Sequence, residues 1–235
     1  DLKWVYNFSS SSTEGRREMK NLLGGKGANL AEMSSLKLPV PPGFTLTTEA
    51  CIDFYKNDGK LRLPIKDQIL ESLKKVESLT GKKFGDPSNP LLFSIRSGAR
   101  VSMPGMMDTI LNLGLNAETV SGLSEQTGNS WFAWDSYRRF VQMFGNVVLG
   151  IESSLFESTL EDLKDARNVS EESELSVDDL TKLTDRYKEL IVESQGVIFP
   201  EDPWEQLWKS ISAVFSSWNN ERAYQYRNLN GFAHD

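Results

Sequence analysis

Residues 21–30 read Asn21-Leu22-Leu23-Gly24-Gly25-Lys26-Gly27-Ala28-Asn29-Leu30. Three glycines around one lysine open a helix that carries Leu30, Met33 and Leu36 and stops at Pro39, since proline cannot donate the next helical hydrogen bond. Upstream, Trp4-Val5-Tyr6-Asn7-Phe8 alternates in bulk as a short strand does, and the polar residues Ser9 to Glu14 follow as a loop. Downstream, Pro41-Pro42-Gly43 leads into a strand at Phe44-Thr45-Leu46, and Thr48 is expected to cap a helix from Glu49. A glycine loop entering a helix between two strands marks a mixed α and β fold.

The alternation continues as far as residue 116. Ile65, Ile69, Leu73 and Val76 lie on one helical face, which predicts an amphipathic helix from Pro64 to Leu79, ended by Gly81 and by Gly85-Asp86-Pro87. Leu91-Leu92-Phe93-Ser94-Ile95 is an apolar run between turn signals and predicts a buried strand that delivers Arg96 to a loop, Ser97 to Asp108, rich in Gly, Ser, Met and Pro. Beyond Asn116 the strand signals stop. Trp134, Tyr137, Val141, Phe144 and Val148 predict one helix, and Ser176 with Asp179 caps another whose stripe is Leu180, Leu183, Tyr187 and Leu190. Asp202, Pro203 and Glu205 open a further helix at 203–226, with Trp204, Leu207, Trp208, Ile211, Phe215 and Trp218 along it. The expectation is an α+β subdomain, residues 1–116 plus 201–235, with an inserted all-helical subdomain at 117–200.

Composition narrows the chemistry. The 235 residues carry a net charge of −7, but the stretch Glu152 to Asp202 holds 15 acidic and 5 basic residues, so the remainder is net +3. The acidity is regional, most simply the solvated surface of helices, and no basic face argues for nucleic acid. No apolar run reaches the roughly 18 residues of a membrane span. The start Asp1-Leu2-Lys3-Trp4 lacks the pattern of a secretory signal, so a cytoplasmic location is expected, or a plastid or other organelle once a signal is removed. Cys51 is the single cysteine and His234 the single histidine, which rules out an intrachain disulfide, a cysteine zinc site and a His-based triad within these residues. Lys, Arg, Asp, Glu and backbone amides remain as the chemical means.

Lys26 and its glycines suit an anion, because free amides and the positive helix end face it and the ammonium adds a point charge. The segment lacks the Ser or Thr of a Walker loop and the Rossmann spacing, and on its own it reads rather as a flexible turn with a solvated lysine. Arg96 could grip a phosphate through two N–H groups or form a structural salt bridge. Arg100 lies further along the loop and reads as solvated. Met103-Pro104-Gly105-Met106-Met107-Asp108-Thr109 offers a glycine for close approach and thioethers that could cover a flat ring or simply fill gaps in a core. Asp108 alone makes no metal site and reads as a turn residue. The tryptophans at helical spacing read as packing.

Taken together, Leu22 to Met33, Pro41-Pro42-Gly43-Phe44, Ser94-Ile95-Arg96-Ser97-Gly98-Ala99-Arg100 through Asn116, Tyr137-Arg138-Arg139-Phe140 and Phe144-Gly145-Asn146-Val147 resemble the pyruvate, phosphate dikinases, in order over residues 3–230. The unbroken Ser-Met-Pro-Gly-Met-Met-Asp-Thr stretch separates the chain from the related phosphoenolpyruvate synthases. The resemblance implies a partial ATP-grasp-type nucleotide-binding domain, in an enzyme that interconverts ATP, phosphate and pyruvate with AMP, pyrophosphate and phosphoenolpyruvate. It implies ATP as ligand, with Lys26 and Arg96 on its phosphates and Gly105 against the polyphosphate. Mg2+ ligands are expected in a further subdomain that these residues do not include, and the phosphohistidine domain and pyruvate-binding barrel are expected as partners elsewhere in the enzyme. The chain is therefore expected to be an N-terminal piece, inactive alone. The alternative is a non-catalytic fragment that binds another protein through its acidic helices or an exposed interface.

Overall fold

The computed structural model describes residues 2–97 and 109–218. Strand β1 (Val5–Phe8) and strand β2 (Gly43–Leu46) form an antiparallel pair, with Val5 opposite Leu46 and Phe8 opposite Gly43. Between them runs helix α1 (Lys20–Ser35), and after them helices α2 (Thr48–Lys56) and α3 (Leu63–Thr80). Thr47, one residue earlier than expected, caps α2: its side chain accepts from the amide of Ala50 at 3.1 Å. Ile65, Ile69, Leu73 and Val76 are all buried on α3, as their spacing predicts, and Gly81 closes that helix in the left-handed conformation, φ 70°.

Helix α1 buries mostly small residues. Met33 and Leu36 are 42% and 64% exposed, whereas Leu23, Gly24, Gly27, Ala28, Ala31 and Ser34 are buried. The helix lays its smallest residues inward, which lets its backbone approach β2 more closely than a leucine face could. The expected strand over residues 91–95 is also divided. Strand β3 (Lys83–Phe84) pairs in parallel with β4 (Pro90–Leu91), and β5 (Phe93–Arg96) pairs separately with β6 (Thr109–Leu113). Along β5, half-buried Phe93 and Ile95 alternate with exposed Ser94 and Arg96, the pattern of a sheet with one open face.

From residue 117 to 200 the described chain is helical: α4 (Thr119–Thr127), α5 (Ser130–Met143), α6 (Ser153–Arg167) and α7 (Val177–Gln195), with α8 (Pro203–Ser217) following. The helix expected to run on to Val148 widens into a π turn at Phe144–Val148. Gly145 there faces Phe156 so closely that a Cβ would fall 2.6 Å from the ring. Both hydrogen bonds of the Ser176 and Asp179 capping box form, each 3.0 Å. Asp202 caps α8 through the Trp204 amide at 3.0 Å. The part of the predicted 203–226 helix beyond Trp218 lies outside the described residues.

The described chain forms two compact units, residues 2–81, 96–97 and 212–218 in one, residues 82–95 and 109–211 in the other. In the first, Phe54 packs on Phe215, and the Tyr55 hydroxyl donates to the Phe215 carbonyl. In the second, Phe140, Phe144 and Phe199 meet edge to face. Gln206, fully buried, joins strands to helices there: it accepts from the Gly114 amide at 3.0 Å and donates to the carbonyls of Leu115 and Pro200. With Phe84 edge-on to Trp204, this explains why β3 to β6 pack with the helices apart from the terminal Arg96. Among the described residues no helix is long and apolar enough to cross a membrane.

Candidate functional site

Helix α1 does not run unbroken. Gly24 has φ 73° and ψ 170°, a backbone region that only glycine occupies without strain, so a short turn precedes it and the helix restarts after it. The first amides of a restarted helix, those of Gly25 and Lys26, lack intrahelical acceptors and add to the positive end of its dipole. Lys26 is exposed in this first turn. Buried Leu23 and Ala28 anchor the segment, and Gly15 fits beneath it so tightly that a Cβ would fall 2.6 Å from Leu23 Cδ1. The arrangement offers two backbone donors and one ammonium to an anion.

Arg96 ends β5 and is exposed, so its charge bears no cost of desolvation. Among the described residues neither Arg96 nor Lys26 forms an ion pair, and the salt bridge open to Arg96 from sequence is not made there. Both belong to the first compact unit. Gly105, with Arg100, Met103, Met106, Met107 and Asp108, lies outside the described residues. Among the described residues no group of three His, Cys, Asp or Glu side chains is placed to hold a metal ion.

Two charged clusters were not legible as such in the sequence. Burial acts to raise the Glu14 carboxyl, but the Lys3 ammonium and the backbone and side-chain N–H groups of Asn7 outweigh it and hold the group down at about 2. This carboxylate closes the polar loop after β1. The second cluster centres on Arg138, 2% exposed, which donates to Asp135 at 2.8 Å and to Glu172 at 2.5 Å. Arg139 reaches the same two acids from the exposed side. The spacing of Asp135 to Arg138 and Arg139 on one helix was the available signal; Glu172, 34 residues from Arg138, had none. Cys51 is a half-buried thiol, raised by burial to about 12, and unsuited to act as a thiolate.

Comparison with known proteins identifies the family of the chain. Residues 20–80 and 60–235 match the family model described as pyruvate phosphate dikinase, AMP/ATP-binding domain. The pyruvate, phosphate dikinase of Rhizobium meliloti (strain 1021) is 51% identical over 229 residues, 97% of this chain and 26% of that protein. The Clostridium symbiosum enzyme of the same name is 50% identical over 234 residues, 99% of this chain and 26% of its own. The chloroplastic enzyme of Mesembryanthemum crystallinum is 52% identical over 229 residues, 97% of this chain and 24% of its own. The chain thus spans about a quarter of the length of these relatives. With an α+β fold, a broken glycine helix and a match over nearly every residue, the chain belongs to the pyruvate, phosphate dikinase family, through its AMP/ATP-binding domain.

Proposed function

We propose that this chain supplies the phosphate-contacting side of the ATP site in a pyruvate, phosphate dikinase, the enzyme that converts ATP, phosphate and pyruvate to AMP, pyrophosphate and phosphoenolpyruvate. In this reading residues 1–116 with 201–235 are the phosphate-binding subdomain of an ATP-grasp-type domain, and residues 117–200 its helical insert. The observation that carries it is the exposed Lys26, without an ion pair among the described residues, on the first turn after the Gly24 break, within a chain matched to an AMP/ATP-binding domain.

Phosphoryl transfer spreads charge over the phosphate oxygens, so the protein's work is positioning and electrostatic stabilisation. Lys26 supplies a point charge, Arg96 a planar fork of donors, and the Gly25 and Lys26 amides dipoles fixed before the reaction begins. Gly105 lies against the polyphosphate in this reading. The described residues do not fit a Mg2+ site, and no step is assigned to one. A histidine on a separate domain accepts the phosphoryl group and passes it toward a pyruvate-binding barrel; the present residues, a quarter of the relatives' length, do not complete the cycle by themselves.

The test is calorimetric titration with MgATP of the chain and of Lys26→Ala and Arg96→Ala variants shown by circular dichroism to be folded. Saturable binding weakened by both substitutions is expected; no binding at millimolar ATP overturns the reading. Phosphorylation of a supplied histidine domain by this chain alone would overturn its inactivity. A second reading, a protein-interaction module, draws on exposed apolar side chains such as Ile198, 80% exposed, and Leu36. It expects concentration-dependent association in sedimentation, and a strict monomer counts against it.

A further inference from the structure

Helix α3 carries two stripes. Ile65, Ile69, Leu73 and Val76 are buried, and beside them Gln68, Glu71, Ser72 and Lys75 recur at spacings of three and four residues on a second face. A polar stripe of this kind ordinarily meets solvent. Here it lines a cavity of about 320 Å³ whose opposite wall includes Val5 and Asn7 of β1. Gln68 ties the two walls together: its side-chain oxygen accepts from the amides of Trp4 at 2.7 Å and Val5 at 3.2 Å, and its NH2 donates to the Leu2 carbonyl at 2.8 Å.

Four polar groups lining this cavity have no partner among the described residues. Ser72 is 3% exposed, and its hydroxyl makes no hydrogen bond. The Asn7 Oδ1 is buried and accepts nothing, although the same side chain donates its NH2 to Glu14. Glu71 and Lys75, exposed at the rim, stand at i and i+4 in the order that favours a salt bridge along a helix, yet neither forms an ion pair. Buried polar atoms without a partner are few in native structures, and each calls for a ligand or water to complete it. Asn7 Oδ1 and the Glu71 carboxylate take only donors, Lys75 gives only donors, and the Ser72 hydroxyl does either. A simple anion satisfies Lys75 and is repelled by Glu71; a simple cation meets the converse difficulty. Lys3 and Glu14, also in the lining, are paired with each other. A molecule that carries both charges satisfies all four groups, and Val5 with Leu2 gives the cavity an apolar side suited to a short aliphatic chain.

We propose that the cavity between β1 and α3 binds a small aliphatic α-amino acid, its ammonium on Glu71 and Asn7 Oδ1, its carboxylate on Lys75 and the Ser72 hydroxyl, and its side chain toward Val5 and Leu2. The proposal shares no residue with the phosphate reading of Lys26 and does not depend on it.

The test titrates the chain with L-leucine and with its two one-charge analogues, isocaproate and isoamylamine, followed by proton–nitrogen correlation spectra. The leucine titration is repeated on Ser72→Ala, Glu71→Gln and Lys75→Met. Saturable shifts at the amides of Val5, Asn7 and Ser72 are expected with leucine, and both analogues should bind at least about 10-fold more weakly, since each leaves a charged group unmet. Ser72→Ala should weaken leucine about 3- to 10-fold. Each rim substitution should weaken it about 2- to 5-fold. Without ligand, Ser72→Ala should melt no lower than wild type, because the hydroxyl it removes has no protein partner; a lower melting point would make Ser72 a structural residue and count against the site. No saturable shift near the solubility limit of leucine would mean that water alone fills the cavity, and overturns the proposal. An analogue that binds as tightly as leucine, or leucine affinity unchanged in Ser72→Ala and Lys75→Met, overturns it as well.

Discussion

Gly27 of α1 faces Thr45 of β2 with no room for a side chain: a Cβ on the glycine would lie 2.8 Å from Thr45 Cγ2 and 3.2 Å from its Oγ1. Thr45 is β-branched and stiff about χ1, so it cannot swing aside cheaply. Alanine at a helical position is otherwise favoured over glycine by about 1 kcal/mol. Gly27→Ala should nevertheless lower stability by about 1 to 3 kcal/mol, the usual cost of overpacking. Adding Thr45→Ala should recover part of that loss in thermal denaturation; a double variant no more stable than Gly27→Ala would show that the contact is not the cause.

Gly25, two residues earlier, is the contrasting case. Nothing lies within 4 Å of where its Cβ would be, and its φ is not in the left-handed region. Gly25→Ala should hold or raise stability, by up to about 1 kcal/mol. The same methyl stands where an anion would approach the backbone, so MgATP affinity should fall while the melting temperature does not. Unchanged affinity would place the anion elsewhere.

Glu14 gives stability a defined dependence on pH. Its folded carboxyl lies near 2 against an ordinary 4.5, so the ionised form is favoured by folding. The sign follows from linkage: the stabilisation is fully present above about 4.5 and is lost as pH falls toward 2. After allowance for solvent screening, Glu14→Gln should cost roughly 1 kcal/mol at neutral pH. Urea denaturation at a series of pH values should show wild type and variant converging in that acid window, and a gap independent of pH would contradict the assignment.

Arg138 and Arg139 test how burial sets the worth of an ion pair. Arg138 is 3% exposed at its side chain and Arg139 55%, though both contact Asp135 and Glu172. Removing Arg138 leaves Asp135 held only from the solvent side by Arg139. Arg138→Ala should therefore destabilise by about 2 to 4 kcal/mol. Arg139→Ala should cost less than about 1 kcal/mol. Equal effects of the two on the unfolding midpoint would mean that burial does not set the strength of this network.

Much of the architecture was legible because it is local. The stripe from Ile65 to Val76, the capping box of Ser176 and Asp179 and the Asp202 cap all act within a few residues, and each forms as its spacing predicts. What was missed has tertiary causes. Helix α1 was legible as a helix carrying Leu30, Met33 and Leu36, but not its break at Gly24, nor the close contact of Gly27 with β2 and the exposure of Met33 and Leu36. The apolar run at residues 91–95 read as one strand and became parts of two, since which neighbour pairs with it is not a property of the run.

The sequence by itself determined the class of fold, the helical character of residues 117–200, the family, and the two cations on which a phosphate site is proposed. Each follows from residue type, short spacing or motif. Only the tertiary structure decided that α1 breaks at Gly24, that Thr48 reaches the Asn21 carbonyl 27 residues away, that Gln206 binds three backbone groups around Gly114, and that Glu172 meets Arg138. The last three are contacts between residues far apart in the chain. Their energies depend on distances that folding creates and that no local pattern encodes.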